Sequence, residues 1–442
     1  MSYSFIGGYF LEPYLSAFED AINEAAVRVD STPLDSDAAA PKFGPRKPYT
    51  LVRSHNVGYT AILLLARDPA AVKRVQQAEV GFGPAETGSK GAVGLRVLYN
   101  TEEDSGKEDQ GTELTFVATH LAAMEWNLPK RNANWAAIMR GLTFDDPEAV
   151  VERFRTEEAE SSSSSGALDQ QEASERTRLL HDEHHEQHLR LQRRLHDISV
   201  FKPSSHLFLA GDLNYRISTT GPPASNEGAD FPSLDSSSEN YYPRFLPLDQ
   251  LTRERKAGRT MHGLEEAEVK FPPTYKYDVK PEGGDGRKDG EPVSWSFAPH
   301  RWPSWTDRVL YLDIPSWAAK NKKSDERKMQ VHAYNAMPVV RFSDHRAVYL
   351  RISVPLLSPS QLAPPLSLES SSSSSNGHAA DPRVRLPVEV DPEAWGRRAA
   401  ARKKEVMAGW SMYLWSTKQG VAVLATVVLV GVGAYWWRGG GF

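Results

Sequence analysis

Not one of the 442 residues is cysteine. That absence removes a disulfide framework, a thiolate zinc site and a thiol nucleophile together, and a reducing compartment is the simplest expectation. A basic excess is missing as well: 52 Lys and Arg stand against 57 Asp and Glu, a net charge of −5. That balance argues against a dedicated nucleic-acid binder. The opening MSYSFIGGYF has neither a basic flank nor a long apolar stretch, so it does not read as a secretory signal. What is present is ordinary for a folded chain. Hydrophobic residues at 40% and charged residues at 25% are enough for a core and exclude a wholly disordered or collagenous polypeptide.

One long uncharged run stands apart, GVAVLATVVLVGVGAYWW at 420–437. Its length is at the lower limit for crossing a bilayer as a helix. Tyr435, Trp436 and Trp437 close its far end, where interfacial aromatics are expected. Arg397, Arg398, Arg402, Lys403 and Lys404 lie upstream and Lys418 flanks it, a bias that favours a cytosolic bulk. A buried core helix is the alternative. The expectation is a single C-terminal transmembrane tail anchor at 420–437, preceded by a flexible linker with a basic juxtamembrane segment at 355–419. The remaining 1–354 would be one domain of the larger sort. Three stretches rich in Ser, Gly, Pro or charge, near 157–175, 221–240 and 281–292, read as disordered insertions in it.

Short apolar runs bounded by turn residues recur through the domain: 59–67 (YTAILLLAR), 91–99 (GAVGLRVLY), 113–120 (ELTFVATH), 206–210 (HLFLA), 304–312 (SWTDRVLYL) and 347–354 (AVYLRISV). These predict strands. Helical patterns lie at 12–28 and 132–140, and a long polar helix is predicted over 174–198. That helix carries His181, His184, His185 and His188 at helical spacings. The HExxH order is not met and no third ligand is placed to close a site, so a solvated face is the better reading. Strands interleaved with helices predict an α/β fold of two packed sheets flanked by helices.

Four polar clusters sit at strand ends, where rigid strands aim groups and loops expose them. THLAA at 119–123 supplies His120. GDLNYR at 211–216 supplies Asp212 and Asn214, two residues apart and so on one side of an extended segment. Asp212 can accept a proton there while Asn214 donates to an anionic oxygen. WTDRVL at 305–310 supplies Asp307. SDHR at 343–346 supplies Asp344, able to bind a hard cation, and His345, able to contact a phosphoryl group while a distant carboxylate orients its ring.

Taken in this order, the clusters resemble the endonuclease/exonuclease/phosphatase superfamily, and within it the inositol polyphosphate 5-phosphatases. The matching blocks are GSKGAV at 88–93, ATHLAA at 118–123, GDLNYRI at 211–217, PTYKYD within 271–278, PSWTDRVL at 303–310 and SDHRAV at 343–348. The PTYKYD block separates the phosphatases from the nucleases of the superfamily. The resemblance implies a DNase I-like two-sheet sandwich and Mg²⁺-dependent hydrolysis of an inositol-ring 5-phosphate by direct attack of water. Asp212 would position that water. Asn214 and His120 would donate to phosphoryl oxygens, His345 would face the scissile phosphate oriented by Asp307, and Asp344 would lie in the metal shell. Lys90, Arg216, Tyr275, Lys276 and Arg308 would bind substrate phosphates. The implied substrate is phosphatidylinositol 4,5-bisphosphate at a cytosolic membrane face, with no nucleic-acid partner, and the tail anchor is similar to that of yeast-type enzymes of the endoplasmic reticulum. The principal Glu ligand of the family falls before the segment matched by SYSFIGGYF and has no counterpart in the sequence given. The expectation is an N-terminally incomplete gene model, with a true short isoform or a catalytically inactive phosphoinositide-binding protein left open, and a DNase I-like nuclease is the remaining alternative.

Overall fold

The run GAVGLRVLY has no polar alternation, so the strand it forms must be covered on both faces. In the computed structural model it is β4 (Gly91–Tyr99), buried along nearly its whole length. Residues 12–30, 47–83, 86–100, 111–164, 173–224, 228–280, 291–319, 328–365, 367–368 and 381–439 are described. The exception in β4, Arg96, is satisfied rather than exposed. Its guanidinium stacks 4.0 Å over the Phe144 ring and donates to Thr115 Oγ1 and to the Asp197 and Ser199 carbonyls.

β4 belongs to a six-stranded sheet of order β3-β4-β5-β6-β10-β7. Its other members are β3 (Val72–Gly81), β5 (Thr112–His120), β6 (His206–Asp212), β7 (Leu264–Glu265) and β10 (Asp307–Leu312). Only β5 and β6 pair in parallel within it. A parallel pair needs a long crossover, and three helices provide it: α1 lies earlier, at Glu12–Asp30, and α2 (Leu128–Gly141), α3 (Pro147–Ser164) and α4 (Ala173–Ile198) fill the connection. Trp135, Ile138 and Met139 of α2 pack with Phe201 onto Val117, Leu207, Leu209 and Leu310 of the sheet. Each such fully buried aliphatic or aromatic side chain contributes about 1.5–3 kcal/mol.

The second layer of the sandwich is built from two-stranded pieces. The hairpin β1 (Thr50–Val57) with β2 (Thr60–Ala66) packs over β4 and β5. The pair β11 (Gln330–Ala336) with β12 (Val348–Ser353) packs through Tyr334, Val331 and Leu350 onto Trp305, Phe271 and Val309. β8 (Tyr277–Val279) pairs with β9 (Trp295–Phe297) beside it. A short helix, α5 (Gln250–Lys256), is capped by the Asp249 side chain. The expected α/β sandwich with flanking helices is therefore present.

The linker expected at 355–419 is corrected. Leu357 and Leu362 are buried, and helix α6 (Ala394–Ser416) docks on the domain. Trp395 donates to the Thr143 carbonyl, Asp391 N–H to the Arg140 carbonyl, and Ala394, Arg398, Ala401 and Glu405 are buried. The basic residues that suggested a solvated juxtamembrane stretch are in part consumed by acids on the domain. One of the expected insertions is corrected likewise: most of 221–240 is a folded loop in which Ser233 bridges Tyr241 and Phe231 is buried against Trp302. Of 157–175, α3 takes the residues to Ser164 and α4 those from Ala173, and 165–172 lie outside the described residues. Residues 281–290, most of the third, lie outside the described residues. Helix α7 (Lys418–Gly439) follows α6 after a break at Thr417, and Lys418–Arg438 is long and apolar enough to cross a membrane.

Candidate active site

Three neighbouring strands end at one place. In the β5–β6 pairing His120 stands opposite Asp212, and in the β6–β10 pairing Asp212 stands opposite Asp307. Each of these residues is the terminal residue of its strand on that side. The register alone therefore brings an imidazole and two carboxylates into one row.

His120 Nε2 lies 3.3 Å from Asp212 Oδ2 and also contacts Lys90 Nζ. Burial works to raise the Asp212 carboxyl, but the His120 hydrogen bond and the charges of His345 and Arg216 hold it below the usual carboxylate range. Burial pushes the Lys90 ammonium down to about 8, with Arg216 adding to the effect and Asp212 opposing it. Close approach of β5 and β6 depends on Gly211, whose φ is +147°; a Cβ there would meet the Thr119 carbonyl oxygen at 1.9 Å.

Asn214 follows in a left-handed conformation, φ +57°. Its backbone N–H donates to Asp212 Oδ1 at 3.0 Å and its side-chain amide to the Leu121 carbonyl at 3.2 Å, which ties the two strand tips together. A buried relay supports both tips from below. Arg131 of α2 donates to the Ala122, Met124 and Glu125 carbonyls and to Gln250 Oε1 at 2.7 Å, and the same Gln250 oxygen accepts from Arg216 N–H.

The fourth group arrives from the β11–β12 connection. His345 Nδ1 lies 2.9 Å from Asp307 Oδ2, which also accepts from Thr274 Oγ1 and Thr306 Oγ1. Burial alone would lower the His345 pKa, but the Asp307 carboxylate beside it raises it above the ordinary imidazole value. Tyr275 forms backbone bridges to both Ser304 and His345, and its ring lies 4.5 Å from the His345 ring. Lys276 Nζ is 2.6 Å from Asp344 Oδ2, and each raises the other's preference for the charged form. A cleft of ≈ 540 Å³ opens beside Lys90, lined by Phe82, Ser89, Ala123, Met124 and Lys130 among others.

The structure thus brings together Lys90, His120, Asp212, Asn214, Asp307 and His345, with Tyr275, Lys276 and Asp344 alongside. Two expected substrate contacts are corrected. Arg308 alternates with Asp307 along β10 and points to the opposite face. There its side chain is 1% exposed and paired with Glu266 and Asp249 at 2.6 and 3.0 Å. Arg216 is also buried. Its Nε and Nη2 bind the Asn214 carbonyl and side chain and the guanidinium stacks 4.4 Å over Tyr275, so it braces Asn214, while its buried Nη1 makes no hydrogen bond among the described residues. Sequence reasoning missed Thr274 and Thr306, although each directly adjoins a residue it singled out.

The fit of a divalent cation can be judged from the donors. Mg²⁺ demands near-octahedral oxygen ligation. Asp344 is engaged by Lys276, Asp212 by His120 and the Asn214 N–H, and Asp307 by His345 and two hydroxyls. Among the described residues no group of three or more His, Cys, Asp or Glu is placed to hold a metal ion. These residues do not by themselves make an Mg²⁺ site.

The model of the Endonuclease/Exonuclease/phosphatase family 2 matches residues 34–351, and the chain belongs to that family. It is 28% identical over 305 residues to the polyphosphatidylinositol phosphatase INP53 of Saccharomyces cerevisiae, covering 68% of this chain and 19% of that protein. It is 30% identical over 237 residues to the type II inositol polyphosphate 5-phosphatase 14 of Arabidopsis thaliana, covering 53% of this chain and 17% of the relative. The chain therefore spans about a fifth of the length of these relatives. Among solved structures, the inositol polyphosphate 5-phosphatase domain of SPsynaptojanin, in complex with inositol (1,4)-bisphosphate and a calcium ion, aligns at 23% identity. That alignment covers 69% of this chain and 62% of the other, with a TM-score of 0.42.

Proposed function

We propose that the protein is a phosphoinositide 5-phosphatase that hydrolyses the 5-phosphate of phosphatidylinositol 4,5-bisphosphate at a cytosolic membrane face, tethered by α7, with the endoplasmic reticulum as its address. The observation that carries this reading is the row His120–Asp212–Asp307, completed by His345. Phosphoryl transfer leaves little covalent work to a protein, so catalysis rests on positioning and on charge placed where it develops.

Each residue has a part. Ionised Asp212 accepts a hydrogen bond from the attacking water and draws its proton. Asn214, His120 and Lys90 donate toward phosphoryl oxygens as negative charge grows. His345, kept protonated by Asp307, faces the scissile group from the other side. Lys276 and Tyr275 offer a cation and a phenol at the rim for a neighbouring ring phosphate. The similarity to INP53 and to the plant 5-phosphatase supports the substrate class, and the apolar length of α7 supports a lipid over a soluble substrate. Tethering turns the search for lipid into a local one.

Mg²⁺ stays in the proposal on the motif resemblance alone. The direct experiment is phosphate release from vesicles containing phosphatidylinositol 4,5-bisphosphate, with Mg²⁺ titrated against EDTA. The expected outcome is release that rises with Mg²⁺ and stops with chelator. Lipid binding with no release at any Mg²⁺ concentration would instead establish the second reading, an inactive phosphoinositide-binding protein, which the scarcity of free carboxylates in the described site favours.

A further inference from the structure

The loop that carries Lys90 is not held by the catalytic domain alone. Its backbone closes on itself through Gly83 N–H to the Thr87 carbonyl and Phe82 N–H to the Lys90 carbonyl, each 2.8 Å. The Gly88 N–H looks elsewhere: it donates to Glu405 Oε1 of α6 at 2.5 Å, in a buried setting. Glu405 is locked in turn by Arg398, whose two terminal nitrogens meet its two oxygens at 2.7 and 3.0 Å. Arg398 also reaches Glu79 of β3 at 2.8 Å and the Glu86 carbonyl at 3.0 Å. Arg397 adds a contact to the Glu86 side chain at 2.8 Å. There is no slack in this contact, because a Cβ on Gly88 would sit 2.5 Å from Val57 and 3.4 Å from both Arg398 and Glu405.

The other end of α6 leads to the apolar helix. From Glu405 to Ser416 is three turns, roughly 16 Å at 1.5 Å per residue. Along that arm Met407, Trp410, Met412 and Trp415 are exposed, a composition suited to a membrane interface. One helix therefore touches the Lys90 loop with its middle and joins the apolar segment with its end.

We propose that Arg398 and Glu405 are positioning residues for the site: α6 clamps Gly88, sets the place of Lys90 against His120, and so couples the arm of the apolar helix to the loop beside the active site. The kinetic consequence rests on the phosphatase reading, whereas the clamp itself does not. A charge-assisted hydrogen bond to a backbone N–H is among the stronger single contacts, and its loss exposes a local opening instead of a global one.

The test uses the full chain in detergent micelles, as wild type, Glu405→Ala, Glu405→Gln and the exposed control Lys404→Ala on the same helix. Hydrogen exchange is followed at peptides covering 86–90 and 91–99, and initial rates are measured on short-chain phosphatidylinositol 4,5-bisphosphate. Glu405→Ala should speed exchange at 86–90 by about tenfold while 91–99 is unmoved, and should raise KM severalfold with a smaller change in kcat. Glu405→Gln, which keeps an acceptor for Gly88, should fall between, and Lys404→Ala should match wild type. Unchanged exchange at 86–90, an equal rise at 91–99, or faster loop exchange with KM unmoved would each overturn the proposal. A wild type that releases no phosphate would sink the phosphatase reading, and the exchange pattern would then decide the clamp alone.

Discussion

Asp307 Oδ2 is shared by three donors, His345 Nδ1 at 2.9 Å, Thr274 Oγ1 at 2.7 Å and Thr306 Oγ1 at 2.8 Å. An oxygen so engaged has one orientation, and it fixes the His345 ring with it. The ring then turns its other nitrogen away from Asp307.

The consequence for pH can be given a sign. His345 has its folded pKa raised, so the protonated form and the stability it brings are present below the ordinary imidazole value and lost as pH rises through the folded value. Asp307→Asn removes the carboxylate and leaves burial to act alone, which favours the neutral ring. The alkaline limb of the pH–rate profile should move to lower pH, and kcat should fall by about 10²–10⁴-fold, the usual worth of a positioned proton donor. A pH series of phosphate release on both proteins checks this, and an NMR titration of His345 gives the same answer without substrate. The acid limb should stay below the usual carboxylate range in the wild type and move upward in the variant, because Asp212 is held low by His120 first and also by the His345 charge that Asp307→Asn withdraws.

Arg308→Met should cost stability and not specificity. Its guanidinium is buried between Glu266 and Asp249, and removing one partner of a buried ion group typically destabilises by about 3–5 kcal/mol. A fall in Tm with KM for the lipid unchanged in the folded fraction is the expected result. A raised KM at unchanged Tm would return Arg308 to the substrate pocket.

Much of this was legible in the chain. β4 begins and ends where its apolar run does, and the tips of β5, β6 and β10 carry the polar residues that strand-end motifs pointed to. β3 escaped notice because VKRVQQAEVG turns much of its length to solvent and carries charge there, so no period survives. Arg308 was misassigned by adjacency, although strand alternation places it opposite Asp307. α6 was unreadable for a different reason. Its Arg and Lys look solvated in isolation, and the domain acids that pair with Arg398 and Arg397, Glu79 and Glu86, lie more than three hundred positions away. Long-range ion pairing leaves no local signature.

Lys276→Ala tests the rim. In the structure Lys276 holds Asp344 at 2.6 Å while lying 5.5 Å from the centre of the Tyr275 ring. If the ammonium reads a second phosphate, its loss should raise KM for the 4,5-bisphosphate by about tenfold, the worth of one charge-assisted contact, and much less for the 5-monophosphate. Removal also frees Asp344, whose pKa burial works to raise and Lys276 lowers, so the variant's carboxyl should titrate higher. Equal losses on both substrates would mean that the pair organises the loop and does not discriminate between ring phosphates.

Two truncations separate tether from clamp. Ending the chain after Thr417 removes α7 and keeps α6 with its contacts to Gly88, Glu79 and Thr143. That protein should leave the membrane pellet on sedimentation, hydrolyse a soluble inositol polyphosphate at a rate near that of the full chain, and lose most of its advantage on vesicles. Ending it before Ala394 removes α6 as well and uncovers Glu79 and the apolar surface under Ala394 and Ala401. Burying a charge without its partner is costly, and its return to water should be accompanied by loosening of β3 and the Gly88 loop. The shorter protein should therefore show a lower Tm and a weaker hold on the soluble substrate, where a simple tether would leave both unchanged. Matching Tm and KM for the two truncations would assign α6 back to the linker.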